Sequence, residues 1–341
     1  MITSMSRQRF IRTAASGAAA FASIAYVRYP ADAAEFTLKF ANDLPPDHPT
    51  NNVAREIATK LATQSKGRIA LQVFPTNQLG NDTQMLSQLR SGAIQFMAVG
   101  DNILATLVPA AAINNVGFAW SDAKTAFRAL DGDLGVYVRG EIERAGLHPM
   151  TKIWDEGFRE MTSSTKPLLK PEDLAGFKMR VPPSPISTSL FAALGASPTT
   201  INLKDLYSAL ETHVVDGQEN PLVLIDTQKF YEVQKYCSLT NHMFVGYWVV
   251  ANPDAFGKLP KDLQQMVASA FDEGAEKQRA DNASEAPSMR GALTAKGMQI
   301  SDVDRNAFKQ KLVKAGFYKQ MSDQFGAKAW AALEKYTGPL G

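Results

Sequence analysis

The sequence predicts an α/β protein built as two lobes, and three observations predict it. Short alternating or apolar runs are separated by stretches of helical period, the pattern of a sheet covered by helices. One run, IQFMAVG (94–100), is nearly all apolar, as expected of a parallel strand buried on both faces. The chain is also long, at 341 residues, and the 308 from Ala34 to Gly341 exceed what one hydrophobic core ordinarily holds.

The elements follow in order. FTLKFAN (36–42) alternates like a strand, and Asn51 to Ser65 carries Val53, Ile57 and Leu61 at helical spacing before Lys66-Gly67 closes it. RIALQVFP (68–75) is a second strand, Asp82 to Ser91 a helix stopped by Gly92, and 94–100 the third strand. A second section opens near Lys152 with KIWDEGFREMTSS. Pro171 to Leu174 reads as a helical turn, KMRV as a strand, Ile186 to Leu194 as a helix, SPTTIN as a strand and Leu203 to Glu211 as a helix. VVDGQENP reads as rich in turns. SLTNHMFVGYWVVAN (238–252) is long enough to run between two lobes. From Lys261 the pattern is helical nearly to the end, with breaks expected at Pro287 and Gly297.

Residues 1–33 read as a signal peptide rather than fold. Arg7, Arg9 and Arg12 precede the small apolar run Thr13 to Ala25, which is too short to span a bilayer, and Ala31-Asp32-Ala33 offers a cleavage site. SRQRFIR resembles a twin-arginine signal with Gln8 in place of the second Arg, which favours the ordinary secretory route. Removing this segment takes four Arg and one Asp from 36 basic and 34 acidic residues, so the formal +2 becomes −1. A near-neutral chain gives no support to a nucleic-acid or membrane-surface partner. Cys237 is the only cysteine, which excludes an intrachain disulfide and thiolate metal sites. His48, His148, His213 and His242 share no metal spacing, and no catalytic or nucleotide-binding motif is present, so no cofactor is expected.

One stretch asks for a partner. In GFKMRVPPSP (176–185), Arg180 sits between Met179 and Val181 in an apolar run, and an arginine keeps its charge at any working pH. Its partner is either an acidic ligand or a structural carboxylate such as Asp173 or Glu219.

GFKMRVPPSP, LETHVVDGQENPL (210–222), GFREMTSS (157–164) and FPTNQLGND (74–82) together resemble the solute-binding proteins of TRAP transporters, the DctP-type family, over about Phe36 to Leu263. The resemblance implies a two-lobe periplasmic binding fold of the Venus-flytrap type, with a ligand cleft, crossing strands and a long interlobe helix. Lobe I would hold 34–157 plus 246–285, and lobe II 158–245 plus 286–341. By the same resemblance Arg180 grips a substrate carboxylate, Asn220 hydrogen-bonds beside it, Arg159 is a second basic position, Leu203 is an apolar wall, and Asp43, Asp82 and Gly100 face the cleft. Relatives that bind sialic acid carry a carboxylate at the position of Gly100 and an aromatic at that of Leu203, so this ligand is not expected.

Other readings stand beside these. Arg159 has Asp155 and Glu156 as possible ion-pair partners, Asn220 could close a turn before Pro221, Trp154 could stack on a ligand or pack a lobe edge, and Asp101-Asn102, at a strand's C-terminal end where α/β ligand sites form, reads rather as a helix cap. The expected function is a periplasmic, non-enzymatic binder that delivers a small organic acid, with C4-dicarboxylates and related hydroxy or keto acids favoured, to a two-component TRAP permease. The alternatives are a ligand sensor for a membrane receptor and an organic-acid-processing enzyme. A monomer is expected, although Phe325, Trp330 and Leu333 would permit pairing through the C-terminal helix.

Overall fold

The computed structural model describes residues 34–341, so the signal-peptide expectation for 1–33 lies outside the described residues. Strand β1 (Phe36–Ala41), helix α1 (Pro49–Gln64), β2 (Ile69–Phe74), α2 (Asp82–Ser91) and β3 (Phe96–Gly100) come first. Local chemistry sets their ends. His48 caps α1 by accepting from the Thr50 N–H, and Pro49 stands at its start, where no N–H is needed. Asn81 and Gln84 form a capping box on α2, and Gly92, at φ 80°, stops it. The chain continues through α3 (Asp101–Leu104), a 3-10 stretch at Pro109–Asn115, α4 (Ala123–Asp131), α5 (Asp133–Arg144) and the two-residue β4 (His148–Pro149) into β5 (Trp154–Ser163).

Next come β6 (Lys178–Val181), α6 (Pro185–Leu194), β7 (Ser197–Thr200), α7 (Leu203–Glu211), β8 (Gly217–Asn220) and α8 (Leu222–Thr227). The 16-residue strand β9 (Tyr236–Ala251) is followed by α9 (Pro253–Gly257), α10 (Lys261–Ala295), β10 (Gln299–Asp302), α11 (Arg305–Lys314), α12 (Phe317–Phe325) and α13 (Ala327–Thr337).

The strand order β2-β1-β3-β9-β5-β8-β6-β7 joins two parallel groups. Within them β1 runs parallel to β2 and β3, and β6 parallel to β7 and β8. Strand β9 is antiparallel to β3 through 247–251 and to β5 through 236–247, so it is the crossing strand. Helix α10, about 52 Å long at 1.5 Å per residue, packs on α1, β5 and α8 and so ties the same two groups. The alternation in β3 divides its side chains between two cores, Phe96 and Ala98 on one face and Met97 and Val99 on the other. That is why 94–100 reads as apolar throughout.

Four features depart from the sequence reading. VVDGQENP contains a true strand, β8, whose four residues are polar or glycine yet buried. Its Gly217 permits the close approach to β5: a Cβ there would lie 2.1 Å from the Thr162 carbonyl oxygen and 2.9 Å from the Phe177 ring. Pro287 does not break α10, because it lies on an exposed turn where water can serve the Ala283 carbonyl that loses its N–H partner. Strand β10 was not anticipated; it extends the sheet along the start of β9. The tail, expected within lobe II, touches both groups: α11 and α12 pack on α6, whereas α13 packs on α4 and α5 and Lys335 and Tyr336 reach Asp133. Trp330 and Leu333 of α13 are spent on this internal packing and present no free face for pairing.

Candidate functional site

A small cavity lies where the carboxyl ends of six strands converge, the place where open α/β sheets bind ligands. Asp43 follows β1, Asp82 opens α2 after β2, and Asn102 follows β3. From the other group come Arg180 and Pro182 at the end of β6, Leu203 at the start of α7 after β7, and Asn220 and Leu224 at the end of β8. The crossing strands add Glu156 and Arg159 from β5 and Tyr247 from β9. Six of the seven expected site residues therefore meet in one cavity. Trp154 does not: it is fully buried in the core, its ring near Gly274 of α10, as lobe packing requires.

The two arginines differ in what holds them. Arg180 is 1% exposed and donates its Nε–H to the Ile201 carbonyl at 2.8 Å. Among the described residues no acceptor takes its Nη hydrogens and no carboxylate pairs with it. Asp173 instead caps the backbone of Leu169 and Lys170, and Glu219 belongs to Arg159. Burial lowers the Arg180 pKa to about 10, which still leaves it fully charged at neutral pH.

Arg159 is saturated by the protein. Its Nε and Nη2 donate to the Glu219 carboxylate, Nη2 reaches the Glu219 carbonyl and Asn220 Oδ1 at 2.7 Å each, and Nη1 faces Glu156 at 3.4 Å. Burial pushes Glu219 up, but the Arg159 charge and hydrogen bonds from His242 and Arg159 overcome it and hold Glu219 at about 2. Burial keeps His242 neutral. Its Nε2 sits 3.1 Å from Glu219, which can only accept, and its Nδ1 sits 2.8 Å from the Thr240 hydroxyl. The ring proton therefore belongs on Nε2. Arg159 lies within β5, and its main partner is neither Asp155 nor Glu156 but Glu219, 60 residues away on the neighbouring strand.

The acidic side of the cavity is unusually rich. Tyr247 donates its hydroxyl to Asp43 Oδ1 at 2.9 Å, and Asn77, with its side-chain amide turned to put nitrogen toward the carboxyl, donates to Asp82 Oδ1 at 3.3 Å. Burial raises both carboxyls, Asp82 the more because the Asp43 charge adds to it. Glu156 is pushed up to about 8, by burial first and by neighbouring carboxylates after the Arg159 charge has opposed it. Asp101 is no mere cap. It is fully buried, receives Asn114, Asn115 and the Gly246 N–H, and ties α3 to β9. Asn102, read from sequence as a helix cap, lines the cavity, and Glu156, Leu224 and Tyr247 were missed as cavity residues. Tyr247 lies in a continuous apolar run and Leu224 in a short helix, so neither carried a distinguishing signal, whereas Glu156 was visible only as a possible partner of Arg159.

The remaining candidates are packing residues. Cys237 is buried, with its thiol raised by that burial. His148 stacks on Phe256, and no group of metal-ligating side chains exists among the described residues. A wider groove lined by Phe127, Phe158, Ala283 and Met289 is largely apolar, and its Arg279 is bidentate to Asp131.

The buried carboxyls set a pH dependence of stability. Asp101 titrates at about 7, Glu156 and Glu160 at about 8, all raised chiefly by burial, against about 4 in an unfolded chain. A raised carboxyl favours folding below its unfolded value, and that contribution is lost as pH rises through the folded value. His48 and His242, both lowered by burial, act in the opposite sense but only below about pH 6.5. Melting temperature is therefore expected to fall between pH 6.5 and 8.5. Glu160→Gln, which keeps an acceptor for the Asn241 N–H, should flatten that decline; an equal slope in wild type and variant would refute the assignment.

A family model described as bacterial extracellular solute-binding protein, family 7 (DctP) matches residues 40–322. The chain belongs to this family. It is 31% identical over 299 residues to the 2,3-diketo-L-gulonate-binding periplasmic protein YiaO of Escherichia coli, covering 85% of this chain and 91% of that one. Among solved structures, a TRAP periplasmic solute-binding protein from Sulfurospirillum deleyianum with bound succinate superposes with a TM-score of 0.84 at 29% identity, covering 89% of this chain and 99% of that one. Another from Roseobacter denitrificans with bound L-galactonate gives 0.82 at 29% identity, with the same coverage of 89% and 99%. The fold is thus the two-lobe architecture of these proteins, and the family comprises solute-binding proteins rather than enzymes. No helix among the described residues is long and apolar enough to cross a membrane.

Proposed function

We propose that this protein is the periplasmic subunit of a TRAP transporter, which binds a small organic acid in the Arg180 cavity and delivers it to a membrane permease pair. One observation carries the proposal: a buried guanidinium lines a cavity at the strand ends with its Nη hydrogens unclaimed by protein. A planar fork of donors in a dry site matches a carboxylate in two parallel bonds. The relatives support this reading, since those described bind succinate, L-galactonate or 2,3-diketo-L-gulonate.

In this reading Arg180 grips the carboxylate and Leu203 forms the apolar wall. Asn220 offers the amide hydrogen that Gln218 leaves over, while Asp43 and Asp82 face the rest of the solute. Arg159 holds the site together from behind. The two lobes, 34–157 with 246–285 and 158–245 with 286–326, close over the solute by bending at β5, β9 and α10, while α13 stays packed on α4 and α5. Residues 1–33 direct export. Thermal stabilisation by a panel of organic acids and neutral sugars tests the proposal: ligand at about 100 times its dissociation constant should add about 2.7 kcal/mol. A shift confined to carboxylates is expected, and a shift with neutral sugars alone would overturn it.

A further inference from the structure

The cavity is charged asymmetrically. Arg180 is its one guanidinium without a protein carboxylate among the described residues, since Arg159 is committed to Glu219, Glu156 and Asn220. A dicarboxylate would place one carboxylate on Arg180 and would need a second cation for the other. What the other strand group brings to the same cavity is Asp43 and Asp82.

Those two carboxyls reach the cavity from different elements, the loop after β1 and the first residue of α2, and both line it. Tyr247 and Asn77 already donate to the pair. The pair presents carboxyl oxygens and no cation, which suits a hydroxyl, at once donor and acceptor, and gives a second carboxylate no partner. The raised pKa of both groups agrees with this geometry.

We infer that Asp43 and Asp82 form a hydroxyl-reading end, and that the solute is a hydroxylated monocarboxylate held head-first on Arg180 rather than a dicarboxylate. This rests on the Arg180 reading above and narrows the expected range of acids. Loss of the hydroxyl would leave buried polar groups unpaired, a source of strong discrimination.

Calorimetric titration of the purified protein with erythronate, galactonate, succinate and malate tests it, alongside Asp82→Ala, Asp82→Asn and Arg180→Met. Wild type should bind a hydroxy monocarboxylate at least tenfold tighter than succinate. Asp82→Ala should lose at least tenfold for the hydroxy acid and not for succinate, while Asp82→Asn, which mimics a protonated carboxyl, should retain most affinity. Tighter binding of succinate by wild type would overturn the inference without a variant being needed. An Asp82→Ala protein that binds all four acids as wild type does would also overturn it. If Arg180→Met still bound either acid as wild type does, the reading on which the inference rests would fail instead.

Discussion

Replacing Arg180 with methionine should abolish tight binding of any carboxylate while leaving the protein folded. The side chain makes one hydrogen bond to the protein, to the Ile201 carbonyl, and its charge is desolvated without an ion pair. Removing a buried charge that only the ligand neutralises leaves the ligand's carboxylate unpaired, at about 2–5 kcal/mol, or roughly 30- to 5,000-fold in dissociation constant. The unliganded melting temperature should hold or rise, because methionine fills similar space without a charge to desolvate. Arg180→Lys should fall between the two in affinity, since an ammonium cannot make the forked contact. Calorimetric titration with a thermal melt of each variant checks all three; a variant that binds normally, or one that fails to fold, would show that Arg180 is a structural residue.

Arg159→Met should do the reverse. This guanidinium neutralises Glu219 and faces Glu156, all three being nearly inaccessible, and organises Asn220. Without it Glu219 becomes an uncompensated buried charge, a loss of about 3–5 kcal/mol. For a chain of this length that is a fall of about 10 °C in melting temperature. Arg159→Met combined with Glu219→Gln should cost less than Arg159→Met alone, because the stranded charge is gone. Urea unfolding of the single and double variants measures this. Equal losses in both would mean that the ion pair contributes nothing and that only packing was disturbed.

The contrast between the two arginines also marks the limit of what the sequence discloses. Helix and strand periods placed β1, β2, β3, α2, α6 and α7 almost to the residue, because in each case burial pattern and capping chemistry agree: Asn81 and Gln84 begin α2, and Gly92 ends it. Strand β8 escaped because its burial is of polar groups, paired across to β5, and carries no apolar signature. Pro287 misled because a proline's cost depends on whether its turn faces solvent. For the site, the isolated charge in KMRV pointed to Arg180 before any fold was known. Arg159 looked similar on the page. Its partner Glu219 lies in the QENP motif, and only the pairing of β5 with β8 brings the two together. Trp154 illustrates the same limit, since a strand-end aromatic reads alike whether it stacks on a ligand or, as here, packs beside Gly274.

A crystal structure of the protein grown with a bound hydroxy acid tests the central claim most directly. The account predicts the ligand carboxylate on the Nη1 and Nη2 atoms of Arg180 in two parallel bonds of about 2.7–2.9 Å, with Arg159 still on Glu219 and Asn220. A carboxylate found on Arg159, or outside the cavity lined by Asp43, Asp82 and Leu203, would contradict it.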